Sequence, residues 1–129
     1  MDGVSAINCL YFLKDPLLAI REARRILKPG GMFVAGAPSG FHDPELKDVT
    51  PWWGQAETFD AENALELVRT LFPDAELESW ECVAWDLPDR PAVVDYLTAF
   101  GYDDPQAVAD RLPSRLQVTK SGANIWATK

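Results

Sequence analysis

The residues best suited to chemistry lie in one long segment, residues 38–58, which is rich in proline, glycine, aspartate and tryptophan. It holds His42, the only histidine of the chain, beside Asp43, and it also holds the adjacent pair Trp52 and Trp53. Because imidazole titrates near neutral pH, His42 is a candidate general base. The tryptophan pair could form a wall that faces a substrate or a hydrophobic plug that fixes the segment. His42, Trp52 and Trp53 are therefore our candidate residues on the substrate side.

A helix and a strand stand before this segment. Asp15 can cap a helix that begins at Pro16, where the missing N–H of proline costs nothing. Apolar residues recur on one helical face, at Leu17, Ile20, Ala23 and Leu27. Gly30–Gly31 permits a sharp reversal, and the apolar run Met32–Ala35 predicts a strand buried on both faces. Because another apolar run, Val4–Leu13, precedes the helix, the order indicates a βαβ unit with parallel strands.

Segment 38–58 therefore leaves the C-terminal end of a parallel strand, which is where ligand sites form in open α/β sheets. After it, Asp60 can cap a second helix that runs to about Phe72. Residues Glu76–Trp85 predict a strand, and their glutamates suit an edge position because charge discourages unwanted pairing.

The last third of the chain predicts an insertion and a final strand. Residues 86–115 contain two short helical patterns, Pro91–Phe100 and Pro105–Leu112. They predict either a helical insertion that lies over one end of the sheet or a solvated loop with helical turns. Ala123–Thr128 predicts the final strand, preceded by a turn signal at Lys120–Gly122.

The length and the net charge limit the classes of protein to which this chain can belong. The chain has 129 residues, which predicts a single domain, 1–129, with a substantial core. The formal net charge of −8 argues against nucleic acid or an anionic membrane as the main partner and favours solubility. Cys9 and Cys82 lie in apolar runs without metal-ligand spacing, so we expect reduced, buried thiols and no metal site. No apolar run reaches the roughly 20 residues of a membrane span, and we expect a cytoplasmic protein.

Several stretches together resemble a known family. They are Asp2–Leu10 (DGVSAINCL), the helix start Lys14–Pro16, Arg21–Leu27 (REARRIL) and Lys28–Gly31 (KPGG). In combination they resemble class I S-adenosylmethionine-dependent methyltransferases, most closely the small-molecule branch. The likeness is tight over residues 2–37 and looser over the rest of the chain.

The resemblance implies an α/β fold with part of the family's sheet. The family begins with a strand and a glycine-rich loop of G-x-G-x-G type that approaches the cofactor. This sequence contains no such loop, since Gly30, Gly31 and Gly36 precede or end a strand. In family terms we expect the fourth to seventh strands in the spatial order 4-5-7-6, as a partial Rossmann-like methyltransferase sheet with flanking helices and a helical insertion. The first strand would then have an open edge, which invites association.

The resemblance also assigns candidate cofactor residues. By position, Asn8, Cys9 and Leu10 match the family segment that passes near the sulfonium and methionine part of S-adenosylmethionine. Asn8 leads this set, although an asparagine at a strand end is also a common turn residue. Phe12 stands where many relatives carry histidine. Methyl transfer often needs little beyond proximity and alignment, so the lack of a clear base does not argue against such an enzyme.

Two functions follow as expectations. The first is a C-terminal fragment of an S-adenosylmethionine-dependent methyltransferase that acts on an unknown small molecule. The full-length parent would bind the cofactor, and we expect the isolated chain to be an inefficient catalyst. The second is a non-catalytic interaction or assembly module that pairs through the open sheet edge with a second copy or a complementing chain.

Overall fold

The computed structural model describes all residues 1–129 and contains one four-stranded sheet. Five-residue or longer elements follow one another as β1 (Gly3–Ile7), α1 (Pro16–Ile26), β2 (Met32–Pro38), α2 (Ala64–Arg69), β3 (Glu76–Leu87), α3 (Arg90–Ala99), α4 (Pro105–Asp110) and β4 (Leu116–Thr128). Short 3-10 helices occupy Leu10–Phe12 and Pro44–Leu46. The strand order is β1-β2-β4-β3, which confirms the α/β fold and the order 4-5-7-6 expected from the resemblance.

The pairing of the strands defines the two edges of the sheet. β1 is parallel to β2, with Gly3 opposite Met32 and Ile7 opposite Gly36. β4 is antiparallel to β2. β1 has only β2 as a neighbour, so its other edge is not paired by any strand of this chain, while β3 forms the opposite edge as predicted.

Helix α1 confirms the prediction from its sequence. The Asp15 carboxylate accepts a hydrogen bond from the Leu17 N–H at 3.0 Å, and Pro16 occupies the first helical position. Ile20 is completely buried, and Ala23 is buried on the same face. After the helix, Gly30 adopts a φ of +78°, the left-handed conformation that the reversal into β2 requires.

The chain forms two compact units, each with its own apolar core. The first unit comprises residues 1–42, 54–81 and 121–129, and the second comprises residues 43–53 and 82–120. The core of the first unit contains Phe33 and Phe72, whose rings stack with centroids 5.4 Å apart. The core of the second unit includes residues of α3, α4 and β4. The two helices predicted within residues 86–115 are present as α3 and α4.

The structure sets the bounds of two elements more narrowly. β1 covers only the first part of the apolar run Val4–Leu13 and ends at Ile7, because Asn8 adopts a φ of +51° and turns the chain. The second helix, predicted from the Asp60 cap to about Phe72, is shorter and spans Ala64–Arg69. The Asp60 carboxylate accepts hydrogen bonds from two backbone N–H groups just before Ala64, and these fix a separate turn.

The turn predicted at Lys120–Gly122 is wrong, because these residues lie within β4. Gly122 is paired with Pro38 of β2. A Cβ atom at Gly122 would lie 2.5 Å from the Ala37 carbonyl oxygen and 2.6 Å from Cζ2 of the Trp80 indole. Glycine is therefore needed here for close packing inside the sheet and not for a reversal of the chain.

The prediction of buried thiols is also wrong, since Cys9 and Cys82 are both exposed and free. Cys9 follows the turn at the end of β1, and Cys82 lies in the edge strand β3. No helix in the structure has the length and the apolar character needed to span a membrane.

Candidate functional site

The predicted cofactor residues lie at the C-terminal end of β1, in the first unit. The Asn8 N–H donates to the Gly36 carbonyl oxygen at 2.9 Å, so the turn remains attached to β2. Asparagine tolerates the left-handed conformation better than most residues, which gives Asn8 a structural reason to be here. The side chains of Asn8 and Cys9 are exposed, whereas Leu10 is buried in the core. Asn8 and Cys9 are therefore the two accessible side chains of this set.

The predicted substrate-side residues are divided between the two units. His42 is half-buried and is the last residue of segment 1–42 of the first unit. Its backbone N–H donates to the Ser39 carbonyl oxygen at 3.2 Å. Trp52 and Trp53 belong to the second unit. The Trp52 ring is half exposed and packs against the Tyr102 ring at a centroid distance of 5.0 Å.

The first unit also contains a cavity of about 420 Å³ that the sequence did not reveal. It begins at Ser39, directly after β2. Since Gly36 is the β2 partner of Ile7, Ser39 lies three residues beyond the end of β1, or roughly 10 Å along the strand direction. The lining residues are Ser39, Ala61, Glu62, Ser79, Trp80, Glu81, Ser121 and Gly122.

Hydrogen bonds fix the carboxylate of Glu62 at the cavity. The Ser39 hydroxyl, in a residue that is only 8% exposed, donates to one oxygen of Glu62. The Gly40 N–H donates to the other oxygen at 3.1 Å. The Ser39 hydroxyl also accepts from the Phe41 N–H at 3.0 Å. The carboxylate is thus held by two donors and oriented without a lysine or an arginine.

The second unit contains a largely buried polar cluster, formed by Asp43, Tyr96 and Lys120. The Lys120 ammonium lies 2.7 Å from the Asp43 carboxylate and 2.8 Å from the Tyr96 hydroxyl. It also lies 4.6 Å from the centroid of the Phe100 ring. Burial, reinforced by the negative charge of Asp43, raises the pKa of Tyr96 far above its usual range. The cluster therefore holds a neutral tyrosine beside an ion pair.

The N-terminal part of the chain matches a known protein family. A family model described as a methyltransferase domain matches residues 1–35, which include β1, α1 and the start of β2. No curated protein matches the sequence significantly.

Solved structures match nearly the whole chain. An S-adenosylmethionine-dependent methyltransferase from Thermotoga maritima is 20% identical, with a TM-score of 0.50, 99% of this chain covered and 55% of that chain covered. A protein from Bacillus halodurans described as a methyltransferase is 12% identical, with a TM-score of 0.60 and coverages of 100% and 64%. A phosphoethanolamine N-methyltransferase from Haemonchus contortus, solved in complex with S-adenosyl-L-methionine, is 16% identical, with a TM-score of 0.52 and coverages of 100% and 33%.

These similarities establish the fold. The chain has the architecture of class I S-adenosylmethionine-dependent methyltransferases, and the resemblance predicted from the sequence is confirmed in its fold and in its N-terminal segment. The chain spans 55% and 64% of the lengths of the first two structures.

Proposed function

We propose that this chain is the C-terminal part of an S-adenosylmethionine-dependent methyltransferase that modifies a small molecule. The observation that carries the proposal is the parallel β1–β2 pair, which lies largely within the segment matched by the methyltransferase family model. The turn at Asn8 leaves the C-terminal end of β1, which is the edge of an open α/β sheet where ligands bind. The methyl acceptor in this proposal is a small molecule because the likeness is closest to that branch of the family.

S-adenosylmethionine is the cofactor that the family match and the cofactor-bound relative support. When bound, it supplies a methyl group on a positively charged sulfur. The exposed turn at Asn8 and Cys9 fits one side of such a ligand, because the Asn8 amide can both donate and accept hydrogen bonds. Leu10 supports the turn from the core. The glycine-rich loop that approaches the cofactor in the family would have to come from a complementing segment.

The open edge of β1 suits such a segment. An unpaired strand edge offers backbone N–H and C=O groups to another strand. Within β1 itself, the Ile7 side chain is 53% exposed, so it is available to a strand that pairs at this edge. A second copy of this chain would bring no glycine-rich loop, so the proposal assigns the edge to a segment that carries one.

The test is a calorimetric titration of the chain with S-adenosylmethionine and, separately, with S-adenosylhomocysteine. Maleimide labelling of the two exposed cysteines provides a site-specific readout, with Cys82 as the internal control for Cys9. Because the glycine-rich loop is missing from this sequence, the expected result is weak but saturable binding that protects Cys9 and not Cys82. A further variant, Asn8→Gly, keeps the left-handed turn and removes only the amide, so weaker binding by this variant would place Asn8 against the ligand.

If a chain shown to be folded binds neither ligand and Cys9 is not protected, the proposed cofactor site is absent from this chain. The second candidate function, a non-catalytic assembly module that pairs through β1, would then be favoured by the open edge. Light scattering over micromolar concentrations tests it. Ile7→Lys should reduce self-association, whereas Leu18→Lys, at an equally exposed position on α1, should not. A clean monomer at every concentration would exclude self-pairing.

A further inference from the structure

The cavity that begins at Ser39 is open to solvent and has the size needed to admit a small molecule. Its volume of about 420 Å³ falls within the range of roughly 300–1,000 Å³ that is usual for ligand sites. All of its lining residues belong to the first unit, and they come from the end of β2, the turn before α2, and strands β3 and β4. Most of these walls are regular elements of the sheet, which favours a cavity of defined shape.

The charge of the lining is negative. Glu62 and Glu81 line the cavity, and its lining contains no lysine, arginine or histidine. Neither glutamate forms a salt bridge within the chain. The Glu62 carboxylate is held by the Ser39 hydroxyl and the Gly40 N–H, so its position does not depend on a ligand. The field inside the cavity therefore favours a positively charged group.

An aromatic residue completes this environment. Trp80 lines the cavity, and its indole packs directly over Gly122, where a Cβ atom would be 2.6 Å from the ring. This contact restricts the ring, so it can contact a ligand at little further entropic cost. Tryptophan is the aromatic residue that attracts cations most strongly through its ring electrons. A fixed carboxylate and a restricted indole at one cavity are together suited to an alkylammonium group.

We propose that this cavity binds an organic cation of the amine class. The hydroxyls of Ser79 and Ser121 offer hydrogen bonds to polar substituents of such a ligand. The cavity begins beyond the C-terminal end of β2, at the same end of the parallel strands as the turn at Asn8. The inference rests on the proposed function only in giving the bound amine the role of methyl acceptor; the binding itself does not depend on that role.

The test uses choline as the probe and, as its matched neutral control, the isostere in which a tert-butyl group replaces the trimethylammonium group. Binding is followed by the shift of the Trp80 indole N–H resonance, which is assigned from its absence in Trp80→Phe. Choline should bind at least about tenfold more tightly than its neutral isostere, since the two differ only in charge. Equal affinity for both, or no shift with either, would overturn the proposal.

Two variants distinguish binding at the cavity from a general effect of the net charge of the chain. Glu62→Gln should weaken choline binding about tenfold, because it removes a full charge from the cavity. Glu66→Gln changes the net charge of the chain equally in helix α2 but does not line the cavity, and it should leave the affinity unchanged. Equal losses in both variants would contradict a specific site. Choline binding by a chain that fails to bind S-adenosylmethionine would leave this site established and refute the proposed methyl transfer alone.

Discussion

Removing the buried ammonium of Lys120 should destabilise the second unit strongly. The Lys120 side chain is 16% exposed and the Asp43 side chain is 8% exposed, so water screens this ion pair poorly. Lys120→Met keeps most of the aliphatic stem and deletes the charge. The Asp43 carboxylate then stays buried but loses its contact with the Lys120 ammonium.

The size of the loss follows from the desolvation of that carboxylate. Breaking a buried ion pair by removing one partner costs about 3–5 kcal/mol, and the slight exposure of Lys120 places this pair near the lower figure. The Lys120 ammonium also lies 5.4 Å from the Tyr96 ring centroid, a contact that strengthens its attachment. For a domain of this size, 1 kcal/mol corresponds to a change of about 4 °C in Tm. We therefore expect Tm to fall by about 10–15 °C.

The assay is thermal and urea unfolding followed by circular dichroism. Lys47→Met is the matched control, because Lys47 is an exposed lysine of the same unit and should shift Tm by no more than about 2 °C. In the double variant Lys120→Met with Asp43→Asn, neither charge of this ion pair remains, so most of the lost stability should return. A loss below about 1 kcal/mol in Lys120→Met, or no recovery in the double variant, would refute the reasoning.

Three further variants test the packing and the titration of the chain. Ile20→Asp puts a charge on the buried face of α1 and should lower the free energy of unfolding by several kcal/mol in urea. Leu18→Asp, on the exposed face of the same helix, is the control and should cost little. Similar stabilities of the two variants would contradict the placement of the helix. Gly122→Ala puts a methyl group 2.5 Å from a carbonyl oxygen and should lower Tm by several degrees. Gly3→Ala is the control, because the atom nearest to its added methyl group would be 3.6 Å away. Equal effects of the two variants would argue against close packing in β4. Because burial raises the pKa of Tyr96 in the folded state, the unfolded state loses its phenolic proton first, so stability is complete below about pH 10 and falls as the pH rises further. Tyr96→Phe should flatten that fall in pH-dependent urea unfolding, and an unchanged slope would refute the assignment.

The parts of the fold that were predicted correctly are set by local chemistry. The Asp15 cap, the proline at the first helical position and the reversal at Gly30 involve neighbours in sequence, so their pattern identifies helix α1 directly. The strand order was expected from the family resemblance and not from the residues alone. Such an order depends on contacts between distant segments, which local patterns do not encode.

The errors arise where a tertiary contact decides the conformation. Gly122 satisfies the pattern of a turn, yet it lies inside β4 because the Trp80 ring and the Ala37 carbonyl leave no space for a side chain. Cys9 and Cys82 lie in apolar runs, yet one follows a turn and the other lies in an edge strand, so both are exposed. Apolar context in sequence predicts burial only when the segment is covered on both faces.

The turn at Asn8 could be predicted from the sequence, whereas the cavity could not. Asn8, Cys9 and Leu10 lie within the segment matched by the family model, so a contiguous pattern was enough to nominate them. Glu62 and Trp80 meet at the cavity from the turn before α2 and from β3, and no periodicity or spacing links them in sequence. In the proposed function, the turn at Asn8 serves the cofactor and the cavity serves the acceptor, so the cavity would determine which acceptor binds. The negative, aromatic cavity is therefore where the chemistry particular to this chain should be sought, and the comparison of choline with its neutral isostere addresses that cavity directly.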